Sequence, residues 1–417
     1  MNHNINNCFI NSVIKKKLFK STLKKINFII DQIKKSKDPL LLSFLNQFNN
    51  YQEKELSKLA FYYKKNFKDV IVLGTGGSSK AGRTFVQVAY RTFGKNPKFP
   101  NITFLENIDF QDFNDLFKKI NLKKTGIIVI SKSGETNETL VQFLIFLTKY
   151  KKSFKKNKIY KHFTVLTKKS SSTLRNLANN FSINILDLDN NLSGRFSAFS
   201  SVGLLPAAIS GLNINKIKEG ALSLLKKSLT KQQRSPSEGA ALHYAAQNSK
   251  INISVLLTYT ERLRNFGFWH EQLIAESLGK KNMGFTPIHS MGATDQHSLL
   301  QLFLEGPKDK LITFITLKKQ KDQIKIDNNL ISKIKKLSFL KKEPLNKLLD
   351  IEMEKVCELL NEYKRPYRII TLDKCREFEI GSLMMNFMLE TIILAYLNNL
   401  CPFDQPAIDK GKSITIK

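Results

Sequence analysis

The chain has 417 residues and a formal net charge of +32 at pH 7, from 67 basic and 35 acidic residues. Hydrophobic residues make up 42% of it and charged residues 24%. This composition is typical of a globular protein and excludes a disordered one. The length predicts two or three domains, with ample chain to bury a core.

The excess of positive charge would suit an anionic partner, such as a nucleic acid or a membrane surface. The lysines are spread in short groups between residues 15 and 345, in a sequence also rich in Asn, Ile and Phe. Because they form no single block or motif, we favour compositional drift and expect no specific nucleic-acid partner. A positive field would still attract an anionic substrate.

The cysteines indicate a reducing compartment. They lie far apart in the sequence, with neither metal-ligand spacing nor the density of a disulfide scaffold. The N-terminus has no secretory core or transit-peptide bias, so we expect a cytoplasmic protein. The four cysteines are Cys8, Cys357, Cys375 and Cys401.

The longest apolar run covers residues 380–397 and contains Asn386 and Glu390. A membrane span rarely carries a carboxylate near its middle. We therefore expect this run to be a buried helix and the protein to have no membrane partner.

Residues 1–64 carry apolar positions at helical spacing and are predicted to be helical. From residue 69 onward, five short apolar runs alternate with helical segments, which predicts βαβ units and a parallel sheet. Residues 203–250 are again predicted to be helical. A second α/β unit follows from about residue 253, and a last long helix covers about residues 377–397. The predicted fold class is therefore α/β with two parallel sheets.

Two loops rich in glycine and serine follow predicted strands, at the sheet edge where ligands bind. The first covers residues 74–82 (GTGGSSKAG), and the second contains Ser131, Ser133 and Thr136 in SKSGET. Glycine lets the backbone approach a ligand closely, and hydroxyls beside a helix N-terminus suit a phosphate monoester. A tight turn is the alternative for the first loop. A helix cap is the alternative for the second, although a cap needs one hydroxyl and this loop offers three.

Two charged residues are candidates for catalysis. Arg195 follows a glycine and opens an apolar segment, so it is either a surface residue or a cation aimed at developing negative charge. Glu276 shares a helix face with Trp269 and Leu273 by spacing. An apolar neighbourhood raises the pKa of a carboxyl toward the range of a general base.

The histidines are weaker signals, because a histidine on a helix is structural more often than catalytic. His297 follows a glycine-rich loop and is predicted to open a helix with Gln301 one turn on. His243 and His270 are interpreted as structural. His270 has no second histidine at the spacing of a zinc site, so no metal is predicted.

Six segments occur in the order GTGGSS, SKSGETNET, SGRFSAFSSVGLLP, EQLIAESLGK, GATDQHSLLQ and PFDQPAIDKGK. In this set and order the chain resembles the phosphoglucose isomerase family, over about residues 69–412. The resemblance implies two SIS (sugar isomerase) domains with flavodoxin-like parallel sheets, an N-terminal helical segment and a C-terminal helical arm. We expect the divisions at residues 1–64, 65–210, 211–375 and 376–417.

The resemblance implies reversible isomerisation of glucose 6-phosphate and fructose 6-phosphate through a cis-enediol after ring opening, in glycolysis and gluconeogenesis, without metal or organic cofactor. By position, Glu276 matches the base that moves a proton between C1 and C2, and Arg195 the cation that stabilises the enediolate. His297 and Lys412 match the pair that opens the ring. The positions that match substrate-binding residues are Gly77, Ser78, Ser131, Ser133, Thr136 and Gln405.

In that family the histidine comes from the partner subunit, so the resemblance also implies a homodimer. Glu135 departs from the family pattern, which often has threonine there, and we expect its carboxylate to point away from the phosphate. Two alternatives stay open: an isomerase that also accepts mannose 6-phosphate, and a non-catalytic SIS module that senses sugar phosphates. The second has no use for Glu276, His297 and Lys412 together.

Overall fold

A computed structural model describes residues 1–9, 13–48, 53–90, 98–318, 326–341 and 346–412. The strands are β1 (Asn2–Asn4), β2 (Asp69–Leu73), β3 (Asn101–Leu105), β4 (Thr125–Ile130), β5 (Phe163–Lys168), β6 (Asn184–Leu188), β7 (Ile253–Thr258), β8 (Thr286–Met291), β9 (Lys310–Leu317) and β10 (Tyr367–Leu372). The helices are α1 (Lys16–Lys35), α2 (Pro39–Asn46), α3 (Glu53–Asn66), α4 (Lys80–Tyr90), α5 (Phe110–Lys119), α6 (Asn137–Ser153), α7 (Lys156–Ile159), α8 (Thr173–Asn180), α9 (Ser201–Ile209), α10 (Ile214–Leu229), α11 (Ser235–Gln247), α12 (Arg264–Leu278), α13 (Leu300–Leu304), α14 (Asn328–Ser332), α15 (Asn346–Glu362), α16 (Glu377–Leu397) and α17 (Pro406–Lys412).

The first sheet has the strand order β3-β2-β4-β5-β6, and all its pairings are parallel. Its strands lie where the apolar runs predicted them, and every residue of β4 is buried, as expected for a strand covered on both faces. The order is the 2-1-3-4-5 arrangement of flavodoxin-like folds, in which ligands bind where the strand order reverses. That reversal lies between β2 and β4, the strands that precede the two loops rich in glycine and serine.

The second sheet repeats this arrangement as β8-β7-β9-β10, again with parallel pairings. Its fifth strand is β1, which pairs antiparallel with β10. The prediction that residues 1–64 are entirely helical is therefore wrong at Asn2–Asn4. Three polar residues carry no periodic signal, and their pairing with a strand more than 360 positions away decides their structure.

Strand β8 was also not predicted, because its sequence TPIHSM contains a proline and a histidine in a stretch expected to be loop. It lies at the edge of the second sheet. Edge strands tolerate proline, since the N–H groups along their outer edge have no neighbouring strand to bond.

Helix α16 lies in the centre of the core. In the described part of the chain it is the one helix long and apolar enough to cross a membrane, and most of it is buried inside the molecule. A Cβ added at Gly220 of α10 would lie 1.9 Å from the carbonyl oxygen of Phe378, and one at Gly381 would lie 2.0 Å from that of Ile217. The two helices therefore pack backbone to backbone, and the expectation of a buried helix is confirmed.

A buried ion pair joins α16 to the second sheet. Arg368 donates from Nη1 to Oε2 of Glu390 at 3.0 Å and from Nη2 to Oε1 at 2.7 Å, and both side chains are at most 2% exposed. Nδ1 of His243 lies 3.1 Å from Oε1 of the same carboxylate. Burial alone would raise the pKa of Glu390, but Arg368 and His243 lower it to about 2. The interpretation of His243 as structural agrees with this position.

Candidate functional site

The second of the two loops collects its three hydroxyls at the N-terminus of α6. The buried Oγ of Ser131 accepts the N–H of Gly134 at 3.1 Å and lies 3.0 Å from Oγ1 of Thr136. Ser133 Oγ lies 3.4 Å from the same Oγ1. Thr136 is the N-cap residue, yet its side chain makes no capping hydrogen bond. The loop thus offers hydroxyls beside the N–H groups and positive dipole end of a helix, which suits a phosphate better than a simple cap.

Only glycine fits at the turn of this loop. Gly134 has φ +71°, and a Cβ there would lie 2.2 Å from Oγ of Ser172. A side chain at this position would strain the backbone and collide with the start of α8. Close packing therefore fixes the shape of the loop.

Glu135 does not face the loop hydroxyls. Its carboxylate accepts the backbone N–H and the hydroxyl of Thr173, both at 2.7 Å. Thr173 is the first residue of α8, where a carboxylate interacts favourably with the helix dipole. The carboxylate is therefore turned toward α8, which agrees with the orientation expected for Glu135.

The first loop meets the Arg195 segment through backbone contact. Residues Gly76–Ser78 form a single 3-10 turn after β2, and Gly194–Phe196 form another. A Cβ added at Gly77 would lie 2.6 Å from the carbonyl carbon of Gly194. Because no side chain separates these turns, Arg195 is brought to the carboxyl edge of the first sheet.

Arg195 is only 2% exposed, so the alternative of a surface arginine is excluded. Nε donates to Oγ of Ser277 at 2.8 Å, and Nη1 donates to Oε2 of Glu276 at 3.1 Å. Nη2 donates to the backbone oxygens of Pro402 at 2.7 Å and Asp404 at 2.8 Å. Burial lowers the pKa of Arg195, and the neighbouring Glu276 opposes that shift. A guanidinium keeps its charge in proteins, so the site holds a fixed, oriented cation.

Glu276 is on the helix face predicted from the spacing, beside the buried Trp269 and Leu273. Its surroundings are polar rather than apolar, which corrects the expectation. One carboxylate oxygen accepts from Arg195, the other accepts from Nε2 of Gln272 at 2.8 Å, and the side chain is 29% exposed. The carboxylate is therefore held in one orientation and still reachable by a small molecule.

Trp269 supports the positions of Arg195 and Glu276. Its indole Nε1 donates to the backbone oxygen of Arg195 at 3.2 Å, and the side chain is buried. The chain's single tryptophan thus connects the helix of the carboxylate to the turn of the guanidinium.

Gln272 was missed by the sequence reasoning. Besides its bond to Glu276, its Nε2 would lie 3.1 Å from a Cβ added at Gly76. The amide therefore sits between the first loop and the carboxylate. Its position one helical turn before Glu276 was the available signal, since residues four apart share a helix face.

Gln405 reaches the same group of residues from the C-terminal end of the chain. Its Oε1 accepts from Nη1 of Arg195 at 3.4 Å, immediately before α17. The side chain of Lys412, at the end of α17, lies outside the described part of the structure, so its role stays a prediction.

His297 makes no hydrogen bond or ion pair with these residues in the part of the chain that the structure describes. It ends the 3-10 turn Thr294–His297 instead of opening a helix as predicted, and α13 begins at Leu300. The side chain is exposed, and it has no hydrogen-bond or ion-pair partner among the residues that the structure describes. Asp295 holds the turn by accepting the N–H of Met291 at 2.7 Å and the hydroxyl of Ser298 at 3.0 Å.

A family model described as phosphoglucose isomerase matches residues 39–417. The chain belongs to the phosphoglucose isomerase family. It is 34% identical over 375 residues to a probable glucose-6-phosphate isomerase from Methanococcus maripaludis, across 89% of this chain and 82% of the relative. It is 30% identical over 398 residues to a glucose-6-phosphate isomerase from Carboxydothermus hydrogenoformans, across 92% and 85% of the two chains.

Solved structures share the fold over nearly the whole chain. A hypothetical protein from Thermus thermophilus superposes with a TM-score of 0.86 and 25% identity, covering 99% of this chain and 98% of that one. A glucose-6-phosphate isomerase from Chlamydia trachomatis superposes with a TM-score of 0.80 and 19% identity, covering 99% and 87%. The phosphoglucose isomerase match includes both loops, Arg195, Glu276 and the C-terminal arm, so the resemblance drawn from the six sequence segments is confirmed.

Proposed function

We propose that this chain interconverts glucose 6-phosphate and fructose 6-phosphate. One observation carries the proposal beyond family membership. A carboxylate that is 29% exposed lies against a buried guanidinium, 3.1 Å from Glu276 Oε2 to Arg195 Nη1, at the strand-order reversal where two glycine- and hydroxyl-rich loops end. Proton transfer next to a carbonyl needs a base beside the carbon and a cation beside the oxygen.

The substrate phosphate is bound by the second loop. Ser131, Ser133 and Thr136 supply hydroxyls, and the first turn of α6 supplies N–H groups. Gly77 and Ser78 line the same pocket from the loop after the neighbouring strand, where the absence of a side chain at Gly77 lets its backbone pack against Gly194. Binding energy from this remote phosphate helps to orient the reacting carbons.

In the reaction itself, Glu276 removes the C2 proton of the open-chain aldose and the C1 oxygen takes up a proton, which gives a cis-enediol. The same carboxyl then returns its proton to C1 while the C2 hydroxyl loses one, which gives the ketose. Arg195 stabilises negative charge on the enediolate oxygens, because its fixed cation lies beside Glu276, where the reacting carbons are bound. Gln272 and Gln405 flank this pair and bind sugar hydroxyls.

The closed sugar ring opens before this step, and for that we assign His297 and Lys412 as an acid–base pair. His297 is exposed and without a described partner within its own chain, which supports a role across the interface of a homodimer. A homodimer would therefore contain two sites, each completed by the other subunit's histidine turn.

We also propose a cellular compartment and a division into domains for the whole chain. The four cysteines are free, which supports a reducing cytoplasm as the place of action. The domain divisions at 1–64, 65–210, 211–375 and 376–417 follow the two sheets, although β1 crosses from the first segment to the second sheet.

The decisive experiment is a coupled assay with purified protein and fructose 6-phosphate, without added metal. We expect formation of glucose 6-phosphate that persists after treatment with a chelator. Mannose 6-phosphate serves as the comparison substrate and tests the broader isomerase. Absence of turnover by a folded, dimeric protein would reject the proposal in favour of a sugar-phosphate-binding module.

A further inference from the structure

The segment EQLIAESLGK ends in a lysine for which the reaction above gives no role. Lys280 lies just beyond α12, and its side chain is only 9% exposed. Its Nζ donates to the backbone oxygen of Cys401 and to Oδ1 of Asp404, both at 2.5 Å. An ammonium that is largely removed from water is costly unless it is paired. These two contacts therefore favour one fixed position of Lys280 against Cys401 and Asp404.

The same short segment is also held by Arg195. Its Nη2 donates to the oxygens of Pro402 and Asp404. Residues 401–404 therefore present three backbone oxygens and one carboxylate to two cations, Arg195 and Lys280. Lys280 follows the end of α12, and Arg195 is bonded to Glu276 and Ser277 near that end. The next residue is Gln405, and α17 begins directly afterwards.

We propose that Lys280 is a positioning residue that fixes the C-terminal arm over the active site. Arg195 has no N–H group left for a further hold on the arm, because three of its five donate to Pro402, Asp404 and Gln405. The other two donate to Ser277 and Glu276. Lys280 provides the second anchor, and the two anchors together set the direction in which α17 leaves the site. This inference rests on the proposed function, since Gln405 and Lys412 are the groups that the arm delivers.

The chemistry of ring opening supplies a selective test. Opening and reclosing the ring interconverts the α and β anomers of glucose 6-phosphate without any proton transfer between carbons. Anomerisation therefore reports on the arm, whereas isomerisation needs both the arm and Glu276. Both rates are measurable on one sample, by NMR exchange and by a coupled assay.

For Lys280→Met we expect kcat/KM to fall about 100-fold in both reactions, because a displacement of about 1 Å costs that much. Lys280→Arg should restore most of the loss. In a Lys412→Met background, Lys280→Met should cause little further loss of anomerisation, because both changes remove the same contribution. Glu276→Gln should abolish isomerisation and leave anomerisation.

Lys281→Met is the matched control, because Lys281 is the exposed neighbour and should leave both rates unchanged. If Lys280→Met fails to fold, Asp404→Asn tests the same contact from its 48% exposed partner, with a smaller loss in both reactions. The inference is overturned if Lys280→Met behaves like Lys281→Met, or if it lowers anomerisation equally with and without Lys412. Inactivity of the wild-type protein would instead reject the proposed function.

Discussion

Two arginine–glutamate pairs of this chain differ in how they are enclosed. Arg368 and Glu390 make two parallel hydrogen bonds and are at most 2% exposed. Arg195 and Glu276 make one bond at 3.1 Å, and their side chains are 1% and 29% exposed, respectively. In the first pair each charge satisfies the other, whereas in the second the guanidinium divides its donors among several acceptors.

Under the proposed function, the first pair is structural and the second reactive, and the difference in exposure gives the physical reason. A pair that is at most 2% exposed has no edge open to a substrate, and removing one partner leaves an uncompensated buried charge. A carboxylate that is partly exposed can exchange a proton, while Arg195 and Gln272 keep it oriented. The following predictions separate the two roles, from the largest expected effect to the smallest.

Glu276→Gln should lower kcat by about 1000-fold or more, since a positioned general base contributes about 10²–10⁴-fold. The free energy of unfolding should change by less than about 1 kcal/mol, because the side chain is partly exposed and glutamine keeps a hydrogen bond to Arg195. The coupled assay and urea denaturation measure the two quantities. A variant that keeps a tenth of the wild-type kcat would remove Glu276 from the mechanism.

Glu390→Gln should lower stability and leave kcat unchanged, the opposite of Glu276→Gln. We expect a loss of about 3–5 kcal/mol in the free energy of unfolding, because Arg368 remains buried without its counter-charge. The kcat of the folded fraction should be unchanged. The double variant Arg368→Met with Glu390→Leu should recover much of the stability, and a double variant no more stable than Glu390→Gln would contradict this explanation.

Gly77→Ala tests how the reactive pair is positioned. Its Cβ would lie 2.6 Å from the backbone of Gly194, so the Arg195 turn must move, and kcat/KM should fall about 100-fold. Gly194→Ala is the matched control, because its Cβ would approach no atom of that contact closer than 3.4 Å. The control should stay within about twofold of the wild type. Equal activity of the two variants would show that the backbone contact does not set the position of Arg195.

Part of the pH dependence of stability should come from the core around the buried pair Arg368 and Glu390. Burial lowers the pKa of His270 from 6.5 to about 3. The folded protein thus binds fewer protons than the unfolded chain, so stability is full above pH 6.5 and falls as the pH drops toward 3. Glu390, lowered from 4.5 to about 2, adds a further loss below pH 4.5 with the same sign.

His270→Phe should reduce the loss of stability between pH 6.5 and 3, because phenylalanine does not titrate. The substitution should be tolerated, because the ring of His270 packs against Phe266 and Phe387. Urea midpoints between pH 7 and 4 measure the effect. His289, whose pKa burial lowers to about 4, should retain some of the pH dependence. A variant with the same pH profile as the wild type would exclude His270 as a source.

Sequence patterns predicted one half of the fold better than the other. All five strands of the first sheet were visible, because each is a short apolar run between helical segments. Strands β1 and β8 of the second sheet were not visible, because edge strands need little hydrophobicity and tolerate polar residues and proline. Pairing with β10 and with β7 makes them strands.

The residues of the site also differ in whether the sequence alone made them visible. Ser131, Ser133 and Thr136 stood out as a group because three hydroxyls in one strand-to-helix loop exceed what a cap requires, and the structure brings these hydroxyls together. Gln272 was not recognised, since its role depends on a loop almost 200 residues earlier in the chain. The apolar environment expected for Glu276 was wrong, because a helix-face pattern identifies buried neighbours on the same helix and not the arginine that arrives from another segment.

The sequence by itself determined the α/β class, the positions of the two loops and the identity of the charged residues, because these depend on local periodicity and composition. Only the tertiary structure decided which arginine faces which glutamate, how far each pair is exposed, and that Lys280 and Arg195 hold the C-terminal arm. Burial and distance between residues that are remote in sequence are set by packing. They distinguish Glu276 from Glu390, two glutamates whose local sequences are both helical and largely apolar.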